Sequence, residues 1–150
     1  MSIAEQLLQP PRRDALVADA VKVLDSEVAG KSGLSGLAVK GAFKVVRGVR
    51  PGFIPQAIDD LLDPFVRRIE PFYDAWKSEG SGRSCKDYFV SRGGDVADAL
   101  LAITDERARN SPNRTLVKTY QKLRPMGRTH VMDSMPRVGG LIERHTQGLD

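Results

Sequence analysis

The chain has 150 residues and a mass of 16.5 kDa, with 41% hydrophobic, 28% charged and 6% aromatic residues, a net charge of +4 and one cysteine. That balance excludes wholesale disorder, a collagen-like repeat and a disulfide scaffold, and no apolar run approaches the roughly 18 residues of a membrane-spanning helix. At this mass a folded surface of roughly 7,500 Å² is expected, against about 24,000 Å² for the extended chain, so residues 1–150 are expected to form one domain with a core.

The start, Met1 to Glu5, lacks the basic-then-apolar layout of a signal peptide, and a cytoplasmic protein is the expectation. Positive charge lies in two blocks. Residues 31–50 sum to +5 and residues 107–150 to +6, whereas 1–30, 51–79 and 80–106 sum to −2, −3 and −2.

After Pro10 and Pro11, which suit a first helical turn, Val17, Val21, Leu24 and Val28 recur at helical spacing, predicting an amphipathic helix that ends near Gly30. Residues 33–49 place Leu34, Leu37, Ala38, Gly41, Ala42 and Val45 on one stripe and Lys40, Lys44 and Arg47 on another. The small residues of that stripe are expected to admit a neighbouring helix closely. Ile58, Leu62, Phe65, Ile69, Phe72 and Trp76 then hold a helical period, but Pro64 and Pro71 lie inside it and predict a break or kink. Asp63 is suited to cap a new helix there, with Pro64 at its first position.

Residues 79–84 read as a loop, and Ser84 or Cys85 opens a short helix carrying Tyr88, Phe89 and Val90. Gly93-Gly94 is expected to end it, with Asp95 capping a helix that carries Val96, Ala99, Leu100 and Ile103 and runs to about Arg109. Ser111-Pro112 restarts a helix bearing Leu116, Val117, Tyr120 and Leu123, which Pro125 is expected to stop. The tail reads as a short helix pair around Ser134 and Pro136. No window shows the period-two alternation of a hairpin. The fold class is therefore all-α: a compact bundle of six to eight helices, several short or proline-kinked.

No catalytic constellation stands out. His130 and His145, with Asp133 and Glu143 nearby, match no metal-ligand spacing, so no metal and no cofactor are expected. Both histidines read as helix-surface or C-terminal residues. Cys85 at a helix start is where a thiol pKa would be lowered, although a lone cysteine reads more simply as incidental. No nucleophile elbow, phosphate loop or dinucleotide fingerprint occurs.

The binding candidates are the basic stripe Lys40, Lys44, Arg47 and Arg50, extended by Lys31, and the second block, in which Arg114, Lys118 and Lys122 repeat every four residues. An acidic protein surface is the first partner considered, with nucleic acid, an anionic membrane contacted by residues 33–49, or a second copy of the chain behind it. Against this stands simple neutralisation, because two helices joined by a short turn pack antiparallel and the next segment carries Asp59, Asp60 and Asp63. Phe65, Phe72, Tyr73 and Trp76 could instead line a ligand pocket, or be core.

Three stretches, Gly41 to Ile54 (GAFKVVRGVRPGFI), Val96 to Asp105 (VADALLAITD) and Met135 to His145 (MPRVGGLIERH), resemble a bacterial family of unknown function over most of the chain. The resemblance implies no activity, ligand or catalytic residue. The first expectation is a non-enzymatic helical domain that binds another macromolecule; the alternative is a small-molecule binder, or an enzyme, with its site between helices.

Overall fold

Helices are the only extended regular elements in the computed structural model, which describes residues 1–149. They are α1 Ile3–Leu7, α2 Pro10–Gly30, α3 Gly33–Val49, α4 Phe53–Glu79, α5 Cys85–Ser91, α6 Gly93–Arg109, α7 Arg114–Asp133 and α8 Met135–Thr146. The protein is all-α, and α2 and α3 end where their periodicity says they should.

The short α1 has no counterpart in the periodicity, yet the sequence carries its signal. Ser2 Oγ accepts from the Glu5 amide and the Glu5 carboxylate accepts from the Ser2 amide, a reciprocal cap that a Ser-x-x-Glu spacing announces. The Ala4 amide also donates to Glu70 Oε2 at 2.8 Å, which pins α1 to α4.

α4 runs unbroken through Pro64 and Pro71, contrary to the expected break. A proline inside a helix costs about 3 kcal/mol, partly because the carbonyl four residues earlier loses its donor. For Pro64 that carbonyl is Asp60, and Arg107 Nη2 donates to it at 3.2 Å. Burial of Ile54, Leu62, Val66 and Tyr73 on both sides of the prolines holds the rest of the helix. Pro125 likewise lies inside α7 instead of ending it, on the exposed side of the helix, and α7 and α8 replace the expected short pair.

Gly93 and Gly94 do not cap α5. They form the first turn of α6, where Gly93 packs on Met135 with room for no more than a tight Cβ contact at 3.3 Å. Asp95 is therefore inside the helix, bonded to Arg92. The next helix starts not at Ser111-Pro112 but after Asn113, whose side chain accepts from the Leu116 amide.

One end of the molecule is closely packed. Phe89, Val96, Ala97 and Met135 are fully buried there, and α5 and α8 make the most extensive helix contact. Gly139 allows it: a Cβ at that position would stand 3.0 Å from the Lys86 backbone. The Lys86 amide donates to Glu143 Oε2 at 2.9 Å, and Arg92 lies over the Phe72 ring while bonding the Tyr88 hydroxyl at 2.9 Å.

The other end is loose. Over 21 residues α2 buries only Leu16 and Val28, α3 buries only Gly36 and Val39, and α7 buries none. The surface, 8503 Å², exceeds the value of roughly 7,500 Å² expected for this mass.

Candidate functional site

Part of the excess surface has a location. Between α2, α3, α4 and the ends of α7 and α8 lies a cavity of about 480 Å³ whose wall is almost wholly apolar. It falls inside the range of roughly 300–1,000 Å³ typical of small-molecule sites. As a closed, empty void it would forfeit about 11 kcal/mol at the roughly 24 cal/mol per Å³ measured for engineered cavities, comparable with a whole domain's stability. The cavity is instead partly open, so solvent or a ligand can enter it.

The wall follows from the helical period. α4 contributes Ile54, Ile58, Leu61, Leu62, Phe65 and Ile69; α2 contributes Leu16, Ala20, Val23 and Leu24; α3 closes one side with Val39 and Phe43. Of the four aromatics considered as a pocket, Phe65 and Tyr73 line it. Phe72 instead packs on Phe89, and Trp76 packs on Tyr73 and donates to the Arg83 carbonyl at 2.6 Å.

The inward face of α2 also carries Glu27 and, just past its end, Lys31, and together they make a polar end. Their side chains are 12% exposed each. Glu27 holds Lys31 Nζ at 3.4 Å and Arg137 Nη1 at 3.0 Å, so one carboxylate faces two cations. Lys31 Nζ also lies 3.5 Å from the His130 carbonyl. His130 is among the residues lining the same cavity, and its ring Nδ1 is buried without a hydrogen-bond partner, which no other buried side-chain nitrogen or oxygen among the described residues is. A buried polar atom left unpaired costs about 1–3 kcal/mol, which a ligand oxygen or N–H would recover.

Several other polar groups in the wall have partners. Glu70 accepts from the Ala4 amide, Thr146 and Ser134 donate to the backbone, and His145 Nε2 stands 2.8 Å from Asp19 Oδ2. Burial opposes the Asp19 charge, but the bonds from His145 and Arg144 outweigh it and hold that carboxyl below its usual range. His145 lies in the last turn of α8, the helix C-terminal position expected from sequence, and there it ties α8 to α2.

The stripe residues Lys40, Lys44, Arg47 and Arg50 are exposed on α3. They do not meet the acidic row of α4, because Arg13 takes Asp59 at 2.6 Å and Asp63 at 2.9 Å, and Asp60 accepts from Gln56. Arg47 pairs with Asp25 at 3.2 Å across an exposed surface; Lys40, Lys44 and Arg50 have no ion pair among the described residues. Arg114, Lys118 and Lys122 are exposed on α7, and the first two border a separate cleft with Arg109 and Arg124. There Arg124 grips Asp105 through two bonds, at 2.7 and 3.1 Å, and Tyr120 donates to the same carboxylate. Arg124 is the main cause of a lowered Asp105 pKa, while burial, with Asp105, pushes the Tyr120 hydroxyl up to about 12.

Cys85 is 2% exposed, and burial with the nearby Glu143 charge pushes its thiol up to about 12, the reverse of an activated nucleophile. No three His, Cys, Asp or Glu side chains converge among the described residues, and no helix there is long and apolar enough to cross a membrane. The residues that sequence reasoning passed over are Glu27 and His130 as a pair of site groups, and Lys31 as an inward rather than a surface lysine. Their signal was present: a charged residue at 27 and 31 on the helical row of Leu16, Ala20, Val23 and Leu24.

The fold is a helical bundle with a partly open apolar cavity whose lining includes the Glu27–Lys31 ion pair. The chain belongs to the family of unknown function DUF6918, which it matches over residues 3–146. No curated protein and no solved structure matches it.

Proposed function

We propose that this protein binds an elongated amphiphile with one anionic end, of the long-chain carboxylic acid class. The observation that supports this reading is the apolar cavity of about 480 Å³ whose lining includes Lys31 and His130, the latter with an unpartnered Nδ1. The chain of the ligand fills the wall formed by α2, α3 and α4, contributing roughly 25 cal/mol for each Å² of apolar surface it covers. Its head accepts from Lys31, where Arg137 and Lys31 together exceed the single Glu27 charge by one, and accepts from the His130 imidazole in the tautomer that carries its proton on Nδ1.

The experiment is a titration of delipidated protein with palmitic acid and with its methyl ester, read by thermal unfolding and by displacement of a fluorescent apolar dye. The acid at a hundred times its dissociation constant adds about 2.7 kcal/mol, which raises Tm by roughly 5–10 °C in a domain of this size. Ala57 lines the cavity, and Ala57→Phe puts a ring into the path of the ligand chain and removes the shift. Lys31→Met erases the preference for acid over ester. No stabilisation by either compound, or full stabilisation of Ala57→Phe, would overturn the proposal.

A further inference from the structure

α3 has an outer face that none of the described residues covers. Leu34 is 88% exposed, Leu37 66%, and Val45 and Val49 47% each, and at 100° per residue all four share one side of the helix with Ala38, Gly41 and Gly48. The sequence suggested that these small residues admit a neighbouring helix; instead no atom lies within 4 Å of the Cβ position of Gly41 or Gly48. The small residue that does meet a neighbour is Gly36, against the backbone of Lys31. The opposite side of α3, with Val39 and Phe43, lines the cavity. α3 is therefore apolar on two sides while lying at the surface, where a helix apolar on both sides is not expected.

The seam between the two apolar sides is cationic. Lys40, Lys44 and Arg47 lie along it, residues 31–50 contain five basic and no acidic residues, and Lys40, Lys44 and Arg50 have no ion pair among the described residues. We infer that α3 docks flat on an anionic lipid surface, with Leu34, Leu37, Val45 and Val49 entering the acyl boundary and Lys40, Lys44 and Arg50 meeting the headgroup phosphates and carboxylates. An aliphatic face flanked by lysines is the pattern of an interfacial helix. A protein partner fits it less well, since protein interfaces are enriched in aromatic residues and depleted of lysine, and this face has no aromatic side chain. Docking does not require the cavity to be filled, so it stands apart from the amphiphile reading.

The test is co-sedimentation of the full chain with vesicles of phosphatidylcholine alone and of phosphatidylcholine and phosphatidylserine in equal parts. Binding is expected to the mixed vesicles only, and to weaken as salt shortens the screening length from about 10 Å at 0.1 M to about 3 Å at 1 M. Lys40→Gln with Lys44→Gln lowers the partition coefficient about thirty-fold. Leu34→Ser with Leu37→Ser lowers it at least about tenfold with unchanged Tm, since both side chains are already exposed.

Equal binding to both vesicle types, no binding, or no effect of either double variant would overturn the inference. So would a mass that rises with concentration and returns to that of the monomer in the leucine variant, since a second copy would then cover the face. Ala57→Phe separates the two proposals: it retains vesicle binding while losing palmitate uptake. Retained uptake by the α3 variants in solution shows the cavity reading standing whatever the vesicles do.

Discussion

The two ends of the bundle use similar residues to opposite effect. Around α5, α8 and the second half of α4, Phe89, Met135 and Val96 have no exposed surface, and a glycine at 139 lets two backbones meet. Around α2, α3 and the first half of α4, the aliphatic side chains are as numerous but stand around a space, and two of the three helices bury only two residues each. Hydrophobic pattern alone makes both ends helical and inward-facing; what differs is whether side-chain volume fills the interior. A closely packed end anchors the chain, and so the other end can remain hollow without loss of the fold.

Substitutions at the two ends should therefore differ in cost. Phe89→Ala, at the packed end, removes a ring with no exposed surface and should destabilise by about 3–5 kcal/mol in urea unfolding. Gly139→Val forces a branched side chain against the Lys86 backbone and should cost about 1–3 kcal/mol. Phe43→Ala, at the hollow end, removes a ring that is half-buried and already faces empty space, so its cost should be no more than about 1 kcal/mol. Equal losses for Phe89→Ala and Phe43→Ala would show that the two ends are packed alike. Amide exchange sharpens the same contrast, with α5 and α8 protected longest and α3 least.

The smallest effect is electrostatic. Asp105 has a folded pKa below its unfolded value near 3.9, so its bond to Arg124 stabilises the protein above about pH 4 and is lost as pH falls through the folded value. Asp105→Asn should be less stable than the native chain at pH 7 by under about 1 kcal/mol, because Arg124 is partly solvated, and the gap should close on acidification. A Tm difference that stays constant from pH 7 to below pH 3 would refute this.

The bounds of α2 and α3 were legible because periodicity, glycine and proline agree there. Continuity through Pro64 was not, because the donor that replaces the lost one comes from Arg107, 43 positions away in the sequence. The same limit hid the site. Period places Leu16, Ala20, Val23 and Glu27 on one row, yet whether the opposing rows of α4 and α3 touch them depends on how the helices are spaced, and spacing is set at the packed end. The basic stripe of α3 was readable as a stripe; that Asp59 and Asp63 turn instead to Arg13 is a fact of the α2–α4 packing.

Trp76 is the lone tryptophan of the chain, and it is held at the packed end by its bond to the Arg83 carbonyl and its contact with Tyr73. Its indole therefore does not line the chamber. The native emission should stay constant while an amphiphile enters and should change only when the packed end comes apart, so the protein carries a built-in optical reporter that separates occupancy from unfolding without any label.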